Sequence, residues 1–176
     1  MCTILVVVMK HLVLIILCLL LAACDAGLAP PPPIELGFSG TVYFTPGSWP
    51  TDSLINLWIF ASQIYPLDSA KVYSGLFTNP STIFLYPSIN QSLPLSEVAS
   101  IPYSFPLRSG TYKYVGVIQQ VSPDLINRGI RVFRVVGFYK DPTNLSQPGT
   151  VEVNESTRMK EINIDVDFRN PPQQPF

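Results

Sequence analysis

Phe38-Ser39-Gly40-Thr41-Val42-Tyr43-Phe44-Thr45 is the stretch whose reading decides the fold. Phe38, Gly40, Val42 and Phe44 fall on one side, and Ser39, Thr41, Tyr43 and Thr45 on the other. Alternation with period two is the signature of a half-buried strand. Pro46-Gly47-Ser48-Trp49-Pro50 ends it with a turn. Next come Ile55, Leu57, Ile59 and Ala61 opposite Asn56, Trp58, Phe60 and Ser62. Both of these faces are largely apolar, which predicts a central strand. A helix is the competing reading, but the β-branched and aromatic residues and the short length favour strand.

The same pattern recurs outward. Weaker strands are expected at 72–77 and 82–86, and further strands at 101–107, 112–120, 130–139, 151–154 and 162–168. Turn residues separate them, among them Asn79-Pro80, Ser122-Pro123-Asp124, Asn127-Arg128-Gly129 and Lys140-Asp141-Pro142-Thr143-Asn144. No helical period stands out. The expectation is all-β: an antiparallel β-sandwich of about 7–8 strands over residues 37–169. A polar segment, 170–176, is expected to be a disordered tail.

Leu107-Arg108-Ser109-Gly110-Thr111-Tyr112-Lys113-Tyr114 resembles the leucine, turn, glycine, any residue, tyrosine signature of carboxypeptidase regulatory-like and transthyretin-like domains. Ser39-Gly40-Thr41-Val42 is similar to the first strand of that family. The likeness covers two strands; Arg108 and Ser109 stand where prolines are usual, and the two motifs lie far apart. It implies a structural turn in which Gly110 feeds a central strand and Tyr112 packs near the sandwich corner. An immunoglobulin-type sandwich is the alternative, without its cysteine pair. Transthyretin-like hydrolases depend on histidines, so the likeness carries no activity here.

The first 24 residues are apolar except for Thr3, Lys10 and His11, whereas all 18 prolines come later. An unbroken apolar run from Leu12 to Ala23 follows the cationic pair Lys10-His11, as in a secretory signal peptide. Thirteen residues to Cys24 at ~1.5 Å each reach ~20 Å, short of a ~30 Å hydrocarbon core. Leu21-Ala22-Ala23-Cys24 resembles the bacterial lipobox. That likeness implies cleavage after residue 23 and diacylglycerylation of Cys24, followed by acylation of the new amino end. A plain signal peptide with an incidental cysteine is the competing reading. Met9-Lys10-His11 makes a more ordinary start than Met1, so translation is expected to begin at Met9. Ala29-Pro30-Pro31-Pro32-Pro33 favours polyproline II, making 24–36 a lipidated tether that stands the sandwich off the bilayer. Asp25 resembles an inner-membrane retention signal of some enteric bacteria. The expected location is a bacterial membrane surface, periplasmic or cell-surface facing, with membrane lipid as one partner through Cys24.

Much chemistry is excluded by composition. Beyond Cys24 the chain has no cysteine and no histidine, which removes Ser-His-Asp and Cys-His catalysis and zinc sites built from those residues. No phosphate-cradling glycine loop is present. With Lys+Arg 11 against Asp+Glu 12, and a net charge of −1, nucleic acid is not an expected partner. No cofactor is expected. Glu161, Asn163, Asp165 and Asp167 share one face of the last strand, opposite Ile162, Ile164, Val166 and Phe168. Such oxygen donors could help hold calcium, but they lie ~6–7 Å apart along a strand. A solvated face is the plainer reading. Arg128, Arg131 and Arg134 form a basic cluster in sequence, although on a regular strand Arg131 and Arg134 point opposite ways. Trp49, Trp58, Tyr43, Tyr103, Tyr112, Tyr114 and Tyr139 could supply an exposed strip for stacking sugars or peptides.

Three functions follow as expectations. The first is a non-catalytic, lipid-anchored envelope protein whose sandwich serves as an interaction, adhesion or scaffold module for an unknown envelope protein or glycan. The second is a glycan- or peptide-binding module using surface aromatics. The third is a carboxylate-based hydrolase, which needs two carboxyl groups ~5–9.5 Å apart in one pocket.

Overall fold

The computed structural model describes residues 35–78, 82–154 and 161–176. The expected signal segment, its lipobox Leu21-Ala22-Ala23-Cys24 and the proline run lie outside these. The described residues belong to one compact unit, Glu35–Phe176.

Strand β1 (Gly37–Phe44) follows the opening alternation, and β2 (Asn56–Ser62) the second. Helix α1 (Ser69–Tyr73) runs on into a π turn, Ser74–Thr78. Then come β3 (Ile83–Tyr86), β4 (Ser100–Pro106), β5 (Gly110–Tyr112) and β6 (Tyr114–Gln120). A helical stretch of α2 (Leu125–Arg128) and a 3-10 turn, Gly129–Val132, precedes β7 (Phe133–Phe138). The chain ends with the hairpin β8 (Lys140–Asp141) and β9 (Asn144–Pro148), then β10 (Val151–Val153) and β11 (Ile164–Val166).

The strands make a β-sandwich. One sheet has the order β11-β1-β4, the other β3-β2-β6-β7, with the small pairs β10-β5 and β8-β9 beside them. β2 is internal, as its two apolar faces require. Pairing is antiparallel except between β1 and β11, where Val42 sits opposite Ile164 in parallel register. Phe38, Val42, Tyr103, Phe105, Leu57, Ile59, Val115, Val117, Ile164 and Val166 form the core between the sheets. A second apolar cluster lies on the other side of the four-stranded sheet. There Trp58, Phe60, Tyr114, Ile118 and Val135 are covered by Leu67, Val72 and Ile130.

Backbones approach closely at two glycines, one between the sheets and one beside β1 within its own sheet. A Cβ on Gly137 of β7 would lie 2.3 Å from the carbonyl oxygen of Asp165, and one on Gly40 would lie 2.0 Å from that of Ile162. Both positions therefore require glycine. Tyr103 closes the same region, its hydroxyl donating to the carbonyl of Ile162 at 2.6 Å.

Several expected boundaries are corrected. Residues 72–77 are helical, not a strand. The Asp68 side chain caps α1 by accepting from Lys71 N at 2.8 Å, and Val72 and Leu76, four apart, both join the outer cluster. Residues 112–120 divide between two sheets: Tyr112 pairs with Val151, whereas Tyr114 pairs with Ser62, and Lys113 N bridges to the carbonyl of Ser62 at 2.8 Å. Gly110 and Tyr112 thus build the short β5, not a central strand. The stretch 130–139 begins with a 3-10 turn. The expected turn at Lys140–Asn144 is the tip of a hairpin, tied by Thr143 N donating to Asp141 Oδ1 at 2.7 Å. Residues 170–176, expected to be a disordered tail, are packed: Gln174 hydrogen-bonds to Val135, and Phe176 joins the outer cluster.

A candidate binding groove beside the C-terminal strap

Three segments meet at one edge of the sandwich. The first is β7 with the hairpin that follows it. The second is β11, held against β7 at Gly137. The third is the strap formed by residues 171–176. Between them lies a groove of about 840 Å³.

Its floor and one wall are aromatic. The Tyr114 ring packs edge-on to Tyr65 at 5.3 Å and to Phe138 at 5.8 Å between centroids. Burial pushes the Tyr114 hydroxyl well above the usual phenol range, with Tyr65 adding to the shift, so Tyr114 stays neutral. Tyr65 is the wetter ring, 39% exposed, and its hydroxyl donates to Gln147 Oε1 of β9 at 3.4 Å.

The other wall is polar. Lys140 Nζ stands 3.7 Å from Asp165 Oδ2, an exposed pair open to water. Asp167 closes the base of the strap. Its Oδ1 accepts from Arg169 N at 2.9 Å and Asn170 N at 3.1 Å, while Oδ2 accepts from Asn170 Nδ2 at 3.1 Å. The bonds from Asn170 hold the Asp167 carboxyl below the usual carboxylate range. Gln174 lines the far end.

The expected face of the last strand is present, with Glu161 and Asp165 exposed and Ile162, Ile164, Val166 and Phe168 buried. Its donors do not converge on a cation. Asn163 Oδ1 accepts from Thr41 N at 2.9 Å, Glu161 Oε1 from Asn163 Nδ2 at 3.4 Å, and Asp167 is engaged by Asn170. Among the described residues no group of three or more His, Cys, Asp or Glu could hold a metal ion. Asp165, beside Lys140, and Asp167, bonded to Asn170, line the large groove instead.

Arg131 and Arg134 do converge, against expectation. The 3-10 turn at Gly129–Val132 breaks the alternation of a regular strand, and both arginines line a second groove of about 430 Å³ with Phe133, Gln174 and Phe176. Arg128 lies on α2 and does not line that groove.

The expected aromatic strip does not form. Trp58, Tyr103, Tyr112 and Tyr114 are buried. Trp49 is half-buried, its ring packed at a tilt against Phe44 at 4.7 Å and Phe168 at 5.2 Å. Of the seven, only Tyr43 is among the exposed large side chains. Strand aromatics are here spent on packing. Gly110 and Tyr112 have a structural place: the wholly buried Tyr112 donates its hydroxyl to the Arg108 carbonyl at 2.9 Å, tying the turn to the core.

The groove itself was missed because its walls come from segments far apart in sequence. The one local signal was Pro171-Pro172 next to Gln173-Gln174, a polar stretch too stiff for a random tail. Compared with known proteins, the chain matches no family model, no curated protein and no solved structure.

Proposed function

We infer that the chain is a non-catalytic interaction module of a bacterial cell envelope, anchored by lipid on Cys24, with the groove beside the strap as its contact surface. The carrying observation is the groove's chemistry: the rings of Tyr65, Tyr114 and Phe138, the carboxamides of Gln147 and Gln174, the exposed Lys140–Asp165 pair, and the Asp167 carboxylate held by Asn170. Such a surface suits recognition, in which a few placed polar groups orient a ligand on an apolar base. The absence of histidine and thiol after Cys24 supports the same reading. Asp167, kept ionised by its hydrogen bonds, is tuned away from the raised pKa that a general acid needs.

Anchoring is tested by growing cells with an alkyne fatty acid. The native chain should be labelled and sediment with membranes, while Cys24→Ala should do neither. Recognition is tested by crosslinking in those cells. A partner captured by the native chain should be lost when Tyr65→Ala and Lys140→Glu are combined. Unchanged capture removes the groove from the reading. Glycan binding is the second reading, favoured by the exposed face of Tyr65. A glycan array read with the native chain and with Tyr65→Ala separates it from peptide binding.

A further inference from the structure

Gln174 treats β7 as a neighbouring strand does. Val135 N donates to Gln174 Oε1 at 2.8 Å, and Gln174 Nε2 donates back to the Val135 carbonyl at 3.0 Å. Nε2 also donates to the Pro172 carbonyl at 2.8 Å, which holds the side chain in that pose. The strap cannot pair by its own backbone at Pro171, Pro172 or Pro175, which have no N–H. Two residues beyond Gln174, the distance that returns an extended chain to the same face, Phe176 enters the outer apolar cluster.

Two grooves adjoin the strap, one of about 840 Å³ and one of about 430 Å³, and Gln174 lines both. Arg131 and Arg134 line the smaller one and have no ion-pair partner among the described residues. Pro-Pro-Gln-Gln-Pro-Phe offers them no acidic side chain. The resident segment therefore fills the carboxamide and aromatic positions and puts no acidic side chain beside the two arginines.

We propose that the free edge of β7 is a peptide-binding slot whose resident is residues 171–176, and that an extended peptide of a partner protein displaces it. That peptide carries a carboxamide side chain, an aromatic residue two positions on, and an acidic residue next to the aromatic. A strand added at a sheet edge gains backbone bonds along its length, where Gln174 supplies them at one residue only. Arginine–carboxylate pairing adds to this and fixes direction. Because the resident is tethered, it competes at high effective concentration, so the apparent affinity of the incoming peptide is reduced by the fraction of strap that is closed. The proposal rests on the reading of the chain as an interaction module and names its partner class.

The test uses the full chain and two fluorescent peptides, Asn-Pro-Pro-Gln-Gln-Pro-Phe and the same peptide extended by Asp-Glu. Substituting Gln174→Ala and Phe176→Ala together removes both anchors of the resident; Gln174→Ala alone is used if circular dichroism shows the double variant unfolded. The loosened chain should bind the plain peptide about tenfold more tightly than the unaltered chain does. The acidic extension should add about fivefold, an increment lost on Arg131→Glu with Arg134→Glu. Failure of both peptides to bind the loosened chain overturns the slot, as does binding indifferent to the two arginines. If the crosslinking experiment still captures a groove-dependent partner, the module reading survives that failure; if it captures none, both fall.

Discussion

Strand β2 carries two unlike cores on its two faces. Leu57, Ile59 and Ala61 point inward to a layer built by another sheet, where Val115, Val117 and Val136 meet β1 and β11. Trp58 and Phe60 point outward to a layer of helical turns and irregular chain, with Ile118 and Val135 beside them. The inner face is mostly aliphatic and closed by regular strands. The outer face has larger aromatic rings and is closed by three separate segments: α1 with its π turn, the 3-10 turn before β7, and the strap. Wide rings bridge gaps that an irregular cover leaves, and a cover made of short segments can open piece by piece. Stability should therefore concentrate on the inner face and adaptability on the outer one.

The largest effect should come from the inner face. Leu57→Ala removes a wholly buried side chain from a layer with no local means of collapse. It should cost about 3 kcal/mol in urea unfolding. A loss below about 1 kcal/mol would mean that this layer is no more rigid than the outer one.

Next comes the joint between the two sheets. Gly137→Ala places a Cβ 2.3 Å from the Asp165 carbonyl, so β11 has to move away. The expected loss is about 2 kcal/mol, together with weaker partner capture, since Asp165 and Gly137 both line the large groove. Gln174→Ala, on the outer cover, should cost only about 1 kcal/mol, because one side chain is lost and the Val135 backbone groups can turn to water. Amide exchange at Val135 should accelerate while Val117 stays protected. Equal acceleration at both sites would join the two faces into one cooperative unit.

The contrast also explains what could be read in advance. Phe38 to Thr45 and Ile55 to Ser62 announce their strands because each residue's side of the sheet is set by its neighbour, and the sandwich follows from repeating that pattern. The outer cover has no such local rule. Val72 and Leu76 are spaced for a helix, yet a spacing of four also returns a strand to the same face, so the pair fits a short strand just as well. Lys113 sits where the chain steps from one sheet to the other, a choice made by Ser62 and Val151. The groove depends on Tyr65, Lys140, Asp165 and Gln174, residues brought together only by the finished fold. The acidic face was legible as a face, but the partners that occupy Asn163 and Asp167 were not, since Thr41 lies on another strand and Asn170 in a segment read as free.

The smallest effect distinguishes the base of the strap from its anchor. Asp167 is half-buried, and its carboxyl is held below the ordinary carboxylate range by hydrogen bonds from Asn170 and Arg169, with the Arg169 charge adding a little. A depressed carboxyl contributes stability above its unfolded pKa and loses it as pH falls through the folded value. The base of the strap should therefore hold through neutral solution and loosen progressively in acid, as pH falls through the depressed carboxyl value. Gln174 and Val135 carry no titrating group, so their bonds should outlast that change. In a nuclear magnetic resonance titration the Arg169 and Asn170 amides should shift together, with a midpoint below the ordinary carboxylate range that vanishes in Asp167→Ala, while the Val135 amide stays protected. A midpoint that is not depressed would mean that Asn170 does not hold the carboxyl, and loss of Val135 protection at the same pH would show that base and anchor release as one, so that the outer cover lacks the piecewise opening its construction implies.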